Sequence, residues 1–297
     1  MQAIDVLSFG MGDMGSLNRP VMLVGLEGWF DVACAATQAV NAFTSADHAV
    51  VVGTIDPDPF YDFTQQRPHV TIDDDVREIV WPTNEFVLQR GGPTPDGDSA
   101  RRDVIGLIGV EPHLNWRTYV DAIITVAVAM GCEAVVTVGS AAEALPHTRT
   151  PPVTGSTATS GLASRLGLSQ PSYQGITGVA GVLNAELESR DIPSISLRVG
   201  IPHYLMNAEH PMAAAALVGH LGHVLDVPTS EWMNGDISNQ IDSWRAVHDE
   251  ITVNDDQLRM YVRMLEAEFD RRSEAQIPTA DDLGDQFEEF LKDQRDD

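Results

Sequence analysis

The chain has 297 residues, 43% of them hydrophobic, which is enough for one generous α/β domain with or without an appendage. Its 44 acidic residues against 18 basic ones give a net charge of −26 and a pI near 4.4. Such a field repels phosphate backbones and anionic lipid, so neither nucleic acid nor membrane is expected as a partner.

In chain order, residues 21–26 (VMLVGL) form a continuous apolar run that reads as a buried strand, followed by a helix over 32–46. Residues 48–53 read as a second strand. Residues 69–73 (HVTID) and 77–81 (REIVW) alternate polar and apolar around Asp74-Asp75, the pattern of a half-exposed β-hairpin. The stretch 91–99, GGPTPDGDS, reads as an irregular loop. A third strand over 104–110 is followed by a helix from Trp116 to Met130. A fourth covers 134–139, and a fifth, 192–199, follows a helix over 179–190. Apolar strands separated by helices predict a mostly parallel sheet covered on both faces.

Beyond residue 230 the pattern becomes helical. Ile237, Ile241, Trp244, Val247 and Ile251 share one spacing, and Leu258, Tyr261, Leu265 and Phe269 another, with Asn254-Asp255-Asp256 as the turn of an αα-hairpin. A last short helix is predicted from Ala280, capped by Thr279, with an acidic outer face. These patterns divide the chain into an α/β domain over 1–228, a helical hairpin over 229–272 and an acidic segment over 273–297.

Ligands of open α/β sheets sit beyond the carboxyl ends of the strands. Those positions offer Glu27, Trp29 and Asp31, then Tyr61 and Arg67, then Glu111 and Arg117, then His147 and Arg149, and finally His203 and Tyr204. Asp31 stands where a helix begins and is expected to cap it, and Gly28 lets the backbone turn beforehand. Trp29 is expected to be buried as a prop, with Glu27 facing the rim. A hydrolase would need Ser140 with a histidine such as His203 and an acid such as Glu111, but Gly139-Ser140-Ala141 is not a nucleophile elbow.

Other motifs carry less. Gly175–Gly181 matches neither dinucleotide nor P-loop spacing and reads as a tight turn with close helix packing. His220 and His223, with His210 upstream, lack the partners of a zinc site, and Asp73-Asp74-Asp75 lacks calcium-loop spacing. No cofactor and no metal is expected. Cys34 and Cys132 are far apart and read as small buried residues of a cytoplasmic protein, with no signal peptide and no apolar run approaching the roughly 18 residues of a membrane span.

The blocks VMLVGLEGWFDVACAATQAV, FYDFTQQRPHV with REIVWPTNEF, GVEPHLNWRTYV, LPHTRTPPVTG and GITGVAGVLNAELESRDIPSISLRVGIPHY follow one another over most of residues 21–204. In these blocks the chain resembles the PAC2 (proteasome assembly chaperone 2) family, in its actinobacterial branch. The resemblance implies a three-layer α/β/α sandwich similar to phosphorylase- and hydrolase-like folds. It also implies a homo-oligomer, with a trimer favoured, that acts in protein interaction or assembly, on itself or on another protein. A phosphorylase- or hydrolase-like enzyme and a small-ligand sensor using the strand-end rim are the alternatives. The chain departs from chaperone members that dock through a hydrophobic-Tyr-x tail, since it ends Gln294-Arg295-Asp296-Asp297.

Overall fold

The computed structural model describes residues 1–10, 15–45, 49–73, 75–92, 101–227, 229 and 235–275. The strands are β1 (Leu7–Phe9), β2 (Val21–Glu27), β3 (Val50–Ile55), β4 (His69–Asp73), β5 (Val76–Val80), β6 (Asn84–Gln89), β7 (Val104–Val110), β8 (Ala134–Glu143), β9 (Val153–Ser156) and β10 (Ser194–Pro202). The helices are α1 (Ala35–Ala42), α2 (Trp116–Ala129), α3 (Leu162–Leu166), α4 (Val179–Ser189), α5 (Pro211–Leu225), α6 (Gly235–Asn254) and α7 (Asp256–Ala275).

One mixed sheet runs in the order β1-β3-β6-β7-β2-β8-β10-β9. Its centre, β7-β2-β8-β10, is parallel throughout, and β3 points the same way although both of its neighbours are antiparallel to it. The expected strand-and-helix alternation is therefore present. β1, β6 and β9 are strands beyond those read from the sequence, and all three run against the majority.

Alternation along β2 builds both layers. Met22 and Val24 pack toward α2 and α4, while Val21 and Leu23 pack toward α1 and α5. All four are at most 4% exposed, which is why the run carries no polar residue. On one face Tyr119 and Phe60 meet edge-on within the core, and Asn184 of α4 donates to Thr137 of β8 at 2.8 Å. On the other face, Ile195, Leu197, Val199 and Ile201 of β10 join Leu217 and Leu221 of α5.

Four expectations change. The helix read over 32–46 is broken: Ala33 and Cys34 are both left-handed, with φ 59° and 54°, and the α-helix proper begins at Ala35. Cys34 is consequently turned out and exposed rather than buried. The β4–β5 hairpin is exposed along its whole length rather than on one face, with Phe63 against Trp81 (4.9 Å between ring centroids) at its base. In the αα-hairpin, Val247 and Ile251 are about half exposed. Ile237, Ile241 and Trp244 are on the partly buried face as expected, and beyond them the stripe continues through His248 and Thr252, spaced by four.

Asp74, most of the 91–99 loop and the helix read from Ala280 lie outside the described residues. No helix among the described residues is long and apolar enough to cross a membrane.

Candidate functional site: a braced strand-end loop

The chain leaves β2 through Glu27-Gly28-Trp29-Phe30-Asp31. Gly28 adopts φ +154°, and a Cβ placed on it would lie 2.8 Å from Glu111 Cβ, so glycine is needed for both conformation and space. Glu111, at the end of β7, uses both carboxylate oxygens on backbone. Oε2 accepts from Trp29 N–H at 3.1 Å, and Oε1 accepts from Val179 N–H, the first residue of α4, at 3.1 Å. A carboxylate at a helix N-terminus complements the free N–H groups and the helix dipole. One side chain thereby ties the β2 loop to the start of α4.

Phe30, not Trp29, is the prop. A Cβ on Gly139 of β8 would stand 1.9 Å from Phe30 Cε1, so the ring lies directly on the bare backbone of that strand. Ser140 N–H donates to Phe30 carbonyl at 2.8 Å, and Ser140 Oγ donates to Val32 carbonyl at 2.7 Å. Trp29 is left 70% exposed beside Gly178, which overturns its expected burial.

Asp31 is buried. Its Oδ1 accepts from Ala36 N–H at 2.8 Å and Thr37 N–H at 3.3 Å, and its Oδ2 accepts from the Thr37 hydroxyl at 2.6 Å. The left-handed pair Ala33-Cys34 curls the chain so that this carboxylate reaches the open turn of α1. Burial raises the Asp31 pKa above its ordinary value, against the lowering effect of these three bonds. Partial desolvation of the otherwise exposed Cys34 sulfur, with the charges of Asp31, Glu27 and Glu209 nearby, also raises the pKa of its thiol, which disfavours the reactive thiolate.

The remaining rim residues fall into three groups. Glu27, Arg67 and Arg117 are exposed. Tyr61 lies in the core, donating to Val110 carbonyl at 2.5 Å and accepting from Asn84 Nδ2, with burial pushing its phenol up to about 12. His147, Arg149, His203 and Tyr204 lie under the αα-hairpin. Arg149 forms ion pairs with Glu266 (3.3 Å) and Asp270 (2.8 Å) of α7. His203 bonds Glu143 carbonyl through Nδ1 and the Tyr261 hydroxyl through Nε2, both at 3.1 Å. Tyr204 accepts from His147 N–H at 2.9 Å and contacts its ring Nδ1 at 2.8 Å. Ser140, His203 and Glu111 are thus each engaged with different partners and form no relay.

Sequence reading did not single out His210, Trp244 or His248 for this place. Trp244 lies between the two imidazoles, 4.2 Å from each by ring centroid. The i, i+4 spacing of Trp244 and His248 was the available signal.

The geometry describes a three-layer α/β sandwich whose strand-end rim is half covered by its own helical pair and half open around a braced aromatic loop. The PAC2 family profile matches residues 25–252, and the chain belongs to that family. A PAC2 family protein from Streptomyces avermitilis is 32% identical, with a TM-score of 0.74 over 82% of this chain and 99% of that one. A proteasome-assembly chaperone homologue from Mycobacterium tuberculosis is also 32% identical, with a TM-score of 0.70 over the same shares, 82% and 99%. An archaeal proteasome activator from Pyrococcus furiosus shares the fold at 16% identity, with a TM-score of 0.62 over 83% of this chain and 98% of that one. No curated protein matches the chain.

Proposed function

We propose that the protein is an interaction factor of the assembly-chaperone kind that engages a protein partner through the open half of its strand-end rim. The observation that carries this reading is Trp29, 70% exposed on a loop held from beneath by Glu111, Phe30 and Asp31. A large aromatic on a pre-formed platform loses little entropy on binding and is the residue type that dominates protein interfaces. The Glu111 and Asp31 carboxylates that brace the loop are occupied by backbone N–H groups, which favours contact over acid–base chemistry at those two side chains. The assembly role is supported by the description of the 32%-identical mycobacterial relative as a proteasome-assembly chaperone homologue.

Self-association belongs to the same reading. Val247 and Ile251 on α6, and Met260 and Met264 on α7, are 52–70% exposed and stand on either side of the turn at Asp255. A second copy covering them would complete a homo-oligomer, a trimer being favoured. The functional test is assembly of purified proteasome α and β subunits from the native cell, with wild type, Trp29→Ala or no added protein. Faster or fuller assembly with wild type, lost in a Trp29→Ala protein of unchanged melting temperature, supports the reading. Equal assembly in all three arms refutes it.

A further inference from the structure

The junction between the αα-hairpin and the sandwich is lined by imidazoles. His147 comes from the β8–β9 connection, His203 from the end of β10, His210 from the start of α5, and His248 from α6. His147 and His210 are 1% and 0% exposed; among the described residues His210 Nε2 has no hydrogen-bonding partner, and His147 Nε2 has only the exposed Asp249 carboxylate within reach. His210 Nδ1 accepts from Ala213 N–H at 3.3 Å, capping α5, so its other nitrogen carries the proton of a neutral ring. Trp244 fills the space between His210 and His248 and donates its indole N–H to Glu209 carbonyl at 2.9 Å. A seam built this way is stable with neutral rings and has no acceptor ready beside His210 for a second proton.

We propose that this seam is a proton-operated latch: protonation of His210 and His147 releases α6–α7 from the strand ends of β8 and β10 while the sandwich stays folded. Release would uncover His203, Tyr204 and the loop around His147, the half of the rim that the hairpin occupies.

The surrounding charges give the sign. Facing His210 are His248 of α6 and His147, whose charges would oppose its own, and burial is the largest influence, holding it down from the usual 6.5 to about 4. Facing His147 are Tyr204 from the β10 end, Asp249 and His248 from α6 and Glu266 from α7. Asp249 Oδ1 is 3.4 Å from His147 Nε2 and favours the proton, yet burial outweighs it and the pKa is lowered. Arg149 with Glu266 and Asp270 is a charged contact between the loop and α7. Arg149 keeps the Asp270 pKa below its ordinary value, so that pair persists further into acid than the neutral imidazoles do. A group with a depressed cationic pKa favours the docked state above its ordinary pKa and withdraws that support as pH falls. Each pH unit by which docking holds His210 below its value in the released state shifts docked over released by a factor of ten.

The test follows Trp244 emission in the full chain (wild type minus Trp244→Phe) from pH 7.5 to 3.5, with amide protection of β2 and β8 measured at each point. His210→Asn and His147→Asn, singly and together, keep an acceptor in the Nδ1 position and cannot charge. The expected result is a red shift with a midpoint between pH 4 and 6.5 while β2 and β8 stay protected, moved down by at least one pH unit in the double variant. A Trp244 change that coincides with loss of β2 and β8 protection, or an unchanged midpoint in the double variant, overturns the latch. Imidazole nitrogen NMR of the wild type decides the matter without a variant. His210 and His147 should take up protons together with the Trp244 change, and protonation with Trp244 still docked overturns the proposal.

Discussion

Removing the Asp31 carboxylate should cost far more than removing its charge. The side chain accepts from Ala36 N–H, Thr37 N–H and the Thr37 hydroxyl at 2.8, 3.3 and 2.6 Å, in a buried position. Asp31→Ala leaves these donors without an acceptor and removes what holds Ala33 and Cys34 left-handed. Two close charge-assisted bonds contribute about 1.5–3 kcal/mol each, offset in part by relief of the buried charge, for a net loss of about 3 kcal/mol. At about 2 °C per kcal/mol for a chain of this size, the melting temperature should fall by about 6 °C. Asp31→Asn keeps one acceptor and sheds the charge. Because the folded carboxyl titrates above its ordinary value, wild type loses stability as pH rises from the ordinary value through the folded one, a loss the amide does not suffer. Asp31→Asn should therefore lie within about 1 kcal/mol of wild type at pH 7. Calorimetry at pH 7 checks both variants. A melting temperature for Asp31→Ala within about 1 °C of wild type, or Asp31→Asn falling as far as Asp31→Ala, would refute the capping argument.

The neighbouring aromatics should separate just as clearly in urea denaturation: Phe30→Ala should lose about 2 kcal/mol and Trp29→Ala under about 1, and equal losses would contradict their assignment as prop and contact. Tyr61 and Tyr204, both pushed up to about 12, should contribute only about a tenth of a phenolate each at pH 11, so Tyr61→Phe and Tyr204→Phe should barely change the absorbance there. These phenols favour the folded state when neutral, so their contribution is kept below the ordinary value of 10.0 and withdrawn as pH climbs toward 12. Light scattering at micromolar concentration should give more than one chain mass, and Met260→Glu with Met264→Glu should reduce it; a wild-type monomer would remove the proposed self-association.

The parallel centre of the sheet was legible because β2 and β7 are apolar runs, and β8 and β10, though they carry Thr137, Ser140, Ser196 and Arg198, are apolar enough over most of their length to read as buried strands. β6 was not, although Asn84, Phe86 and Leu88 are buried in alternation with half-exposed Glu85, Val87 and Gln89. Asn84 puts a polar residue on the buried face, where the Tyr61 hydroxyl accepts from it, and that partner is distant in sequence. The direction of Trp29 and Phe30 was equally hidden, because the Gly28 backbone sets which ring turns inward. A trace did exist: Gly139 interrupts the run AVVTVGS, and a glycine inside a strand marks a close approach, here by Phe30. Cys34 misled because an Ala-rich stretch implies continuous helix. The reversal at Ala33-Cys34 is imposed by the Asp31 carboxylate, whose bonds to residues five and six positions on are a tertiary fact rather than a propensity.

The hairpin also explains why so many rim residues from separate loops fail to form one site. Sheets of this kind leave a crevice beyond their strand ends, and here the β8–β10 side of it is filled from within the chain. Tyr261 takes His203, Glu266 and Asp270 take Arg149, and Trp244 occupies the space beside His210. The histidines and the arginine that suggested chemistry are therefore the docking contacts of α6 and α7. On the β2–β7 side Trp29 stays 70% exposed among the described residues, while the loop beneath it is fixed by Glu111, Phe30 and Asp31. A loop without a function could leave its aromatic folded inward, where burial would stabilise it. Holding the smaller ring inside and the larger one out instead leaves apolar surface in water, and that uncovered surface is what a protein partner would bury.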